Sequence, residues 1–425
     1  MLIQFSVENF RSISDKKTFS MIPSKGSSKP YNLIKLEKKA IVSRLLKSSV
    51  IYGANASGKS NLLRALHVMK RLVLTSKTMN KGDTFGEYDP FILDTNYSKK
   101  PTYFEIFFII ENTPYKYSFS YNLERIITEN LSYFVGKKEI SIFKRENEIF
   151  EPFIDHSELA VLFQHTGDNV LFLSKANNEY KKFGPVFEWF NKKLIVIGSL
   201  STFSEKSTIE YMNESEQNRG NILKFLQFAD LDISNVVGEN KKVDDPKFIE
   251  SFKTFIASIE LPLPTDNRKD IFEIEVPEIK SVRRRVDGSE VIRDFKSFES
   301  SGTKQMFKIA GLWLETLLNK NRVLIIDEFD IKLHPDLQYY LVKIFHDPEI
   351  NKVNSQLVFT THNTRFLQTD FFKREQIWFT EKSGETKSTD VYSLFDYEKR
   401  QDKAIEKSYF LGRYGGLPDI KYGKF

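Results

Sequence analysis

A phosphate-binding loop near the N-terminus constrains this chain more than any other feature of its sequence. Residues 53–60 (the P-loop) read GANASGKS, which fits the pattern G-x-x-x-x-G-K-[S/T], and the apolar run 49–52 before it predicts the strand that such a loop follows. The apolar spacing of residues 62–66 predicts the helix that comes next. A strand, a glycine-rich loop and a helix in this order predict a nucleoside triphosphate site in an α/β fold.

Each residue type in the P-loop has a chemical reason. Glycines let backbone N–H groups close around phosphates, Lys59 neutralises their charge, and the hydroxyl of Ser60 is a ligand for Mg²⁺. We therefore predict a nucleoside triphosphate bound with Mg²⁺. The predicted nucleotide contacts are Gly53, Asn55, Ala56, Ser57, Gly58, Lys59, Ser60 and Asn61.

Two short apolar strands in the C-terminal half end in polar residues. The first, 322–326, is a Walker B pattern, in which Asp327 supports the metal ion and Glu328 polarises the attacking water. The second begins at residue 356 and leads to His362, from which an imidazole reaches a γ-phosphate. We predict Glu328, His362 and Lys59 as catalytic residues, and Asp327 with Ser60 as the metal ligands.

The segment 298–305 lies between the P-loop and the Walker B strand. It reads FESSGTKQ and is followed by an apolar pattern of helical spacing. Small residues at a helix start suit a bound anion, and they equally suit an ordinary helix cap. The order of the four motifs resembles ATP-binding-cassette (ABC) ATPases of the SMC/RecF-like branch, in which such a signature serine opens a helix one strand before Walker B.

The resemblance becomes narrower at both ends of the chain. The runs FSVENFRS at 5–12, ESSGT at 299–303, DEFDIKLHP at 327–335 and YFLGRYGGLP at 409–418 are similar to the small ATPases of bacterial phage-defence operons, of the AbiLi/RloA type. The resemblance covers roughly residues 1–135 and 285–425. It implies an α/β protein, a two-lobed ABC-type P-loop ATPase head with a mostly helical insertion, that uses ATP and Mg²⁺.

The resemblance also implies a mechanism that needs two copies of the chain. Two heads sandwich two ATP molecules, and each composite site combines the P-loop of one copy with the signature serine of the other. Ser300 and Gly302 then act on the partner's nucleotide, and His362 senses the γ-phosphate. Asn9, Phe10 and Arg11 lie where related heads approach the nucleotide. Residues 9–11 equally suit a strand-and-turn role. One departure is that residues 88–91 contain no glutamine for the loop that couples Mg²⁺ to the second lobe.

Composition indicates the class of protein that carries this predicted site. The chain has 425 residues, of which 40% are hydrophobic and 28% charged, as is typical of a globular protein. It contains no cysteine, which excludes disulfides, thiolate metal sites and a cysteine-based zinc hook. The apolar runs are too short to span a bilayer, and the charged N-terminus is not typical of a signal peptide. We expect a cytoplasmic protein with no membrane partner.

Three regions are predicted along the chain. Residues 1–154 form the N-terminal half of the head, 155–264 a mainly helical insertion, and 265–425 the C-terminal half with the signature, Walker B and the switch histidine. The strands predicted within residues 1–135 are expected to form one mixed sheet, with the nucleotide at the end of its first strand.

Two segments have open roles. The basic hairpin predicted on either side of Asp287-Gly288 is a solvated hairpin or a contact to a phosphate backbone. The glycine-rich run 412–418 is a structural turn that docks the C-terminus, or a loop that contacts a partner or the nucleotide-dependent dimer.

The sequence favours an ATP-driven switch that works as a homodimer or a higher homo-oligomer. From the resemblance alone, this switch regulates an effector, a nuclease encoded nearby, in antiviral defence. The alternative is a RecF-like clamp for DNA repair or recombination that binds DNA directly, and a third function is that of a toxin whose active site lies in the insertion or the tail. A net charge of +6, from 63 basic and 57 acidic residues, does not decide whether DNA is bound.

Overall fold

The computed structural model describes residues 1–26, 29–36, 41–152, 156–177, 183–200, 203–229, 233–242, 250–251, 275–330, 332–367, 371–397 and 405–417. The chain divides into two compact units, the first made of Met1–Thr202 and Thr316–Phe425 and the second of Phe203–Glu315. The domain boundaries predicted from the sequence, after residues 154 and 264, were placed from motifs and not from the packing of elements. They stay a prediction. Among the described residues, no helix combines the length and the apolar character needed to cross a bilayer.

Both units contain strands and helices. The strands are β1 Leu2–Glu8, β2 Lys17–Ser20, β3 Leu33–Lys35, β4 Arg44–Leu46, β5 Ser48–Gly53, β6 Thr102–Ile110, β7 Thr113–Tyr121, β8 Ile126–Val135, β9 Lys138–Glu146, β10 Ile149–Pro152, β11 Leu194–Ile197, β12 Asn235–Lys242, β13 Glu275–Arg284, β14 Glu290–Asp294, β15 Val323–Ile326, β16 Gln356–Thr360, β17 Ile377–Lys382 and β18 Thr389–Ser393. The α-helices are α1 Lys59–Thr75, α2 His156–Gln164, α3 Phe172–Ala176, α4 Phe183–Glu188, α5 Lys206–Glu214, α6 Glu216–Phe228, α7 Phe295–Phe298, α8 Ser301–Leu314, α9 Pro335–His346, α10 Leu394–Tyr397 and α11 Ile405–Phe410. The described residues also form short 3₁₀ turns at Pro30–Asn32, Ser76–Thr78, Thr364–Leu367 and Arg374–Gln376 and π-helical turns at Trp189–Lys193 and Glu315–Asn319.

The first unit is built on two large sheets. One is antiparallel, with the strand order β10-β9-β8-β7-β6-β1-β2. The other has the order β11-β15-β16-β5-β17-β18, and all of its neighbours pair in parallel except β17 and β18. Every side chain of β5, β15 and β16 is buried, which explains why β15 reads as an unbroken apolar run. Strands β3 and β4 form a small separate hairpin.

The prediction that the strands of residues 1–135 form one mixed sheet is wrong. Strands β1, β6, β7 and β8 lie in the antiparallel sheet, whereas β5, which carries the P-loop, pairs with β16 and β17 from the C-terminal half. An apolar run indicates which residues form a strand, but it does not select the partner strand. Parallel pairing in particular joins strands that are distant in sequence.

A buried glutamine joins the two large sheets. The side chain of Gln356 is fully buried; its Oε1 accepts a hydrogen bond from Leu2 N at 2.6 Å. Its Nε2 donates to Leu2 O at 3.1 Å and to Leu46 O at 3.0 Å. Because the side-chain amide is paired at both ends, its burial leaves no polar atom without a partner, and the start of β1 is held beside the start of β16.

The second unit combines helices with the three-stranded antiparallel sheet β12-β13-β14. The hairpin predicted around Asp287 and Gly288 is confirmed, since β13 and β14 pair on either side of it and Gly288 has a φ of 83° that favours glycine. Helix α8 packs on α5, where Thr208 Oγ1 donates to Lys308 O and accepts from Gly311 N, each at 3.0 Å. The apolar helical pattern at residues 248–259, which belongs to the predicted helical insertion, lies outside the described residues except for 250–251.

A buried histidine connects the end of α9 with the start of β5. His346 Nε2 lies 2.5 Å from Ser48 Oγ, and its Nδ1 lies 2.9 Å from Asn32 Oδ1. Asn32 Nδ2 donates to Gln376 Oε1 at 2.7 Å, which extends the network to the turn before β17. Burial, helped by the nearby charge of Lys47, lowers the pKa of His346 from its ordinary 6.5 to about 3. The ring is therefore neutral in the folded protein at neutral pH.

We predict that His346 makes the free energy of unfolding depend on pH. The unfolded chain regains the ordinary pKa of 6.5, so on acidification the unfolded state takes up a proton before the folded state does. The stabilisation is complete above pH 6.5 and is lost as the pH falls from 6.5 towards 3, at about 1.4 kcal/mol per pH unit.

Denaturant unfolding of wild type and His346→Asn at several pH values checks this prediction. The variant should be less stable at neutral pH, because two hydrogen bonds of the network change. Its free energy of unfolding should fall less steeply than that of wild type below pH 6.5. Parallel curves for the two proteins would show that His346 is not the titrating group.

Candidate active site

The carboxyl ends of five parallel strands, β11, β15, β16, β5 and β17, lie at one edge of the six-stranded sheet. Strand β5 leads into the P-loop, β15 into the acidic residues, and β16 into the segment of the switch histidine. The register places Thr360 beside Ile51 and Thr380 beside Gly53. Ligands of open α/β sheets bind outside the carboxyl ends of such strands. The structure thus brings the predicted P-loop, Walker B and switch segments together within the first unit.

The P-loop leads from β5 into α1, which begins at Lys59. Gly58 precedes it with a φ of 107°, in the left-handed region that favours glycine, and the cap supplies no side-chain acceptor. The N–H groups of the first helical turn are therefore left for another acceptor, as a phosphate site requires. Asn55, Ala56 and Ser60 are exposed at the tip of the loop and at the helix start. These features fit a nucleoside triphosphate.

Lys59 is buried inside the loop. Its Nζ donates to the carbonyl oxygens of Gly53 at 2.6 Å and Ala54 at 3.0 Å. Burial lowers the pKa of this lysine, whereas three carboxylates that follow β15, with Asp327 the largest contributor, raise it. The ammonium group therefore lies within electrostatic reach of the acidic residues.

Two threonines of the C-terminal strands hold the P-loop in place. Thr380 Oγ1 lies 2.6 Å from Ser57 Oγ, and Thr389 Oγ1 donates to Ser57 O at 2.9 Å. A Cβ on Gly53 would overlap the side chain of Thr380, and a Cβ on Gly58 would overlap Thr389. The close approach of these strands therefore requires glycine at both positions, whether or not a phosphate is bound. The sequence analysis missed Thr380 and Thr389, because neither belongs to a recognisable motif.

One threonine organises the acidic pair. Asp327 is 7% exposed, and Thr360 Oγ1 donates to its Oδ1 at 2.5 Å. The same hydroxyl accepts from Glu328 N at 2.8 Å. Glu328 is exposed and has a φ of 52°, a left-handed conformation that costs a non-glycine residue about 1 kcal/mol. The turn therefore leaves one carboxylate buried and the other in solvent, where it can polarise a water molecule.

Thr360 was also missed by the sequence analysis, although one signal was present. It is a polar residue at the end of an otherwise apolar buried strand, at a carboxyl edge where ligands bind. The donor set of this edge fits Mg²⁺, since Ser60 offers a hydroxyl and Asp327 a carboxylate, both hard oxygen ligands that combine with substrate phosphates.

The predicted switch histidine lies on the segment after β16. Its side chain is exposed, and His362 N donates to Asp330 Oδ2 at 3.2 Å. The neighbouring Asn363 O accepts from Tyr52 Oη at 2.6 Å. The switch segment is thus tied to the acidic loop and to the strand before the P-loop. Asp330, which also raises the pKa of Lys59, is a site residue to which the sequence analysis gave no role.

Arg11 reaches the first turn of the P-loop helix. Its Nε donates to Asp89 Oδ2 at 2.8 Å, and its Nη1 donates to Asn61 Oδ1 at 3.2 Å. The preceding residues Asn9 and Phe10 are each 1% exposed, so for them the structure favours the strand-and-turn role that the sequence left open. The role of Arg11 at a nucleotide stays a prediction.

The predicted signature residues belong to the second unit. Ser300 is exposed, and its Oγ accepts a backbone N–H of the first turn of α8 at 3.1 Å, so it is the N-cap of that helix. Glu299 before it is buried and accepts hydrogen bonds from Ser281 Oγ at 2.7 Å and Arg283 Nη2 at 2.8 Å. This carboxylate anchors the segment to β13. Gly302 is half-buried in the first turn of α8.

The chain matches a described protein family over most of its length and resembles solved protein structures. Residues 48–368, which span the P-loop, the Walker B strand and the switch histidine, match the family described as "AAA domain, putative AbiEii toxin, Type IV TA system". No curated protein matches the chain. The solved "SMC head domain from Thermotoga maritima" is 12% identical with a TM-score of 0.41, over 92% of this chain and 98% of that one. A second structure, "SmcHead bound to the C-winged helix domain of ScpA", is 14% identical with a TM-score of 0.39, over 92% and 97%.

We predict that Thr360→Val slows ATP hydrolysis more than it weakens ATP binding. Valine keeps the shape of the side chain but removes the hydroxyl that joins Asp327 to Glu328. Loss of a group that orients a metal ligand typically costs about 10–100-fold, so kcat should fall by about that factor while KM changes less.

A matched control is Thr316→Val, which removes a buried hydroxyl that has no hydrogen-bond partner among the described residues. Its kcat should equal that of wild type, and Thr360→Ser should recover most of the lost activity. Steady-state phosphate release measures all three variants. A Thr360→Val protein with the turnover of wild type would show that the hydroxyl does not position the acidic pair.

Proposed function

Because this chain belongs to the AAA-domain family described as putative AbiEii toxin of a type IV TA system, we propose that it is a Mg²⁺-dependent ATPase that works as a nucleotide-driven dimer switch. The observation that carries the proposal is the meeting of the P-loop, the acidic pair and the switch segment at one edge of the parallel sheet. A protein that only binds phosphate needs the loop alone. Hydrolysis also requires carboxylates that hold the metal and orient water, and both are present at this edge.

Each residue of this edge has a proposed part in the reaction. Lys59 exchanges its two carbonyl partners in the loop for phosphate oxygens, while Ser60 and Asp327 hold the metal ion. When bound, Mg²⁺ neutralises the charge that develops on the phosphate oxygens. Glu328 orients the attacking water and accepts its proton, and His362 donates a hydrogen bond to the γ-phosphate.

We place Ser300 and Gly302 in the composite site of a homodimer. The exposed hydroxyl of Ser300 and the N–H groups at the start of α8 form the kind of helix N-terminus that binds a phosphate. The anchoring of Glu299 to β13 keeps this helix start fixed within its unit. In the dimer, the signature of one copy then completes the P-loop site of the other.

The switch is proposed to regulate an effector, a nuclease encoded nearby, in antiviral defence within the cytoplasm. Support comes from the resemblance of both chain ends to ATPases of phage-defence operons and from the family description, which names a TA system. The test is expression of the chain with and without its neighbouring gene in cells exposed to phage. Protection should need both genes and should be lost in Lys59→Ala. Growth arrest by the chain alone would favour the toxin function that the family description also names.

The basic hairpin of the second unit supports another candidate function, a RecF-like clamp that binds DNA directly. Arg284, Arg285 and Arg293 are exposed on β13, its turn and β14. Arginines that contact DNA phosphates release counterions, so binding weakens steeply as salt rises. The test is retention of duplex DNA at several salt concentrations. Retention that depends neither on ATP nor on salt would remove this candidate.

We predict that Glu328→Gln blocks hydrolysis and traps the ATP-bound dimer. Glutamine keeps the size of the side chain but cannot take a proton from water, and positioned bases contribute about 10²–10⁴-fold. Light scattering with Mg²⁺-ATP should show more dimer than for wild type. Asp327→Asn should trap less dimer, because it weakens metal support. Normal turnover in Glu328→Gln would contradict the catalytic role, and an unchanged monomer fraction would contradict the switch.

We predict that Ser300→Arg and Lys59→Ala, each inactive alone, recover activity when mixed. A mixed dimer has one site that combines an intact P-loop with an intact signature. At equal amounts half of the dimers are mixed, and each has one competent site of two, so about a quarter of the wild-type activity should return. ATP binding by isolated Ser300→Arg should resemble wild type. Loss of that binding would place Ser300 in the pocket of its own chain.

A further inference from the structure

The glycine-rich run near the C-terminus has a specific backbone shape that the proposed function does not use. The run, residues 412–418, follows helix α11, Ile405–Phe410. The helix and the run together form the C-terminal segment, which is described over Ile405–Leu417; Pro418 lies outside the described residues. Gly412, Gly415 and Gly416 have φ values of 73°, 63° and 69°, all in the left-handed region. Residues other than glycine adopt the backbone conformation of this turn only with strain.

This turn packs directly on the P-loop. A Cβ on Gly416 would lie 3.5 Å from Gly53 Cα and 3.6 Å from Thr380 O. Gly53 is the first residue of the P-loop, and its carbonyl oxygen is the closer of the two partners of Lys59 Nζ. A displacement of the turn therefore moves the backbone group that holds the phosphate-binding lysine.

The turn is held in this position by hydrogen bonding and burial. Tyr392 Oη donates to Tyr414 O at 2.6 Å, and Tyr414 is fully buried. A Cβ on Gly415 would overlap the carboxylate of Glu381, so the chain passes closely over the end of β17. The contact with Gly53 is thus part of a packed arrangement rather than a loose end of the chain.

Helix α11 connects the same segment with the switch histidine region. Thr364 Oγ1, two residues after His362, donates to Glu406 Oε1 at 3.0 Å. The ring of Tyr409 lies 5.8 Å from the ring of Tyr52, whose hydroxyl donates to Asn363 O at 2.6 Å. One short segment therefore contacts the strand before the P-loop, the P-loop itself and the switch segment.

We propose that Ile405–Leu417 positions the P-loop against the switch segment, so that the C-terminal segment belongs to the ATP site although it need not touch ATP. This inference rests on the proposed function for the identity of the ligand. Gly416 and Tyr392 are positioning residues in this arrangement. Misplacement of a binding group by about 1 Å costs up to about 10²-fold, which makes such a contact measurable.

The test compares two glycines with nearly the same φ, 69° at Gly416 and 73° at Gly412. Gly416→Leu adds a side chain against Gly53, whereas Gly412→Leu adds the same side chain at a φ of 73° with nothing within 4 Å of its Cβ. Both variants place leucine at a positive φ, 69° at position 416 and 73° at position 412, so both should lower the melting temperature through backbone strain. Only Gly416→Leu should disturb the P-loop.

Two measurements separate a local effect from a loss of stability. Hydrogen exchange of residues 52–60, measured without nucleotide, should be about 10-fold faster in Gly416→Leu than in wild type and unchanged in Gly412→Leu. The Kd for ATP should rise by about 10-fold in Gly416→Leu only. Equal exchange and equal Kd in the two variants would overturn the proposal.

If Gly416→Leu does not fold, a substitution that adds no side chain to the turn still tests the proposal. Tyr392→Phe removes the hydrogen bonds from Tyr392 Oη to Tyr414 O and to Glu381 Oε2, and it adds no side chain at a positive φ. Faster exchange in residues 52–60 supports the proposal, and exchange and Kd equal to those of wild type overturn it. If wild-type protein binds no ATP, the proposed function fails, but the exchange comparison still decides whether the segment positions the loop.

Discussion

The parallel pairing of β5 with β16 and β17 is the constraint on which the rest of this structure depends. It places the start of the P-loop beside strands that follow about three hundred residues later in the chain. Neither half of the chain contains a complete candidate site, because the loop comes from one half and the carboxylates from the other. Pairing these strands closes a chain segment of about three hundred residues, so assembly of the site depends on contacts between distant parts of the sequence.

Local patterns were enough to predict the parts of the fold that local chemistry determines. The P-loop helix, the Walker B strand and the hairpin at Gly288 are present, and the match over residues 48–368 confirms the family resemblance. The partners of β5 were not predictable from the sequence alone, since an apolar strand fits many neighbours. Thr360 and Thr380 each act on a residue that strand register brings close, and the sequence signal noted for Thr360 was its position as the polar end of an apolar strand. The assignments of Ser300 and Gly302, which lie in the other unit, stay predictions.

The charges near Lys59 explain why a metal ion is needed beside the P-loop. Lys59 contributes a single positive charge, and it lies within electrostatic reach of the carboxylates of Asp327, Asp330 and Glu328. A triphosphate adds more negative charge to a region that is already acidic. Such a region binds phosphate well only together with a metal cation, since the ion is then the largest local charge and reverses the balance. The same carboxylates that discourage a bare phosphate would thus favour the metal-bound nucleotide.

The left-handed backbone conformation of Glu328 affects which substitutions laboratory selection for stability would favour in this chain. A glycine at this position would relieve the backbone strain, so selection for heat resistance alone would tend to replace the glutamate. The loss would be invisible to any screen that reads only soluble, folded protein. With the catalytic role proposed for Glu328, stability and chemistry are opposed at this residue, and a thermostable descendant of this chain should be assayed for turnover before its other substitutions are interpreted.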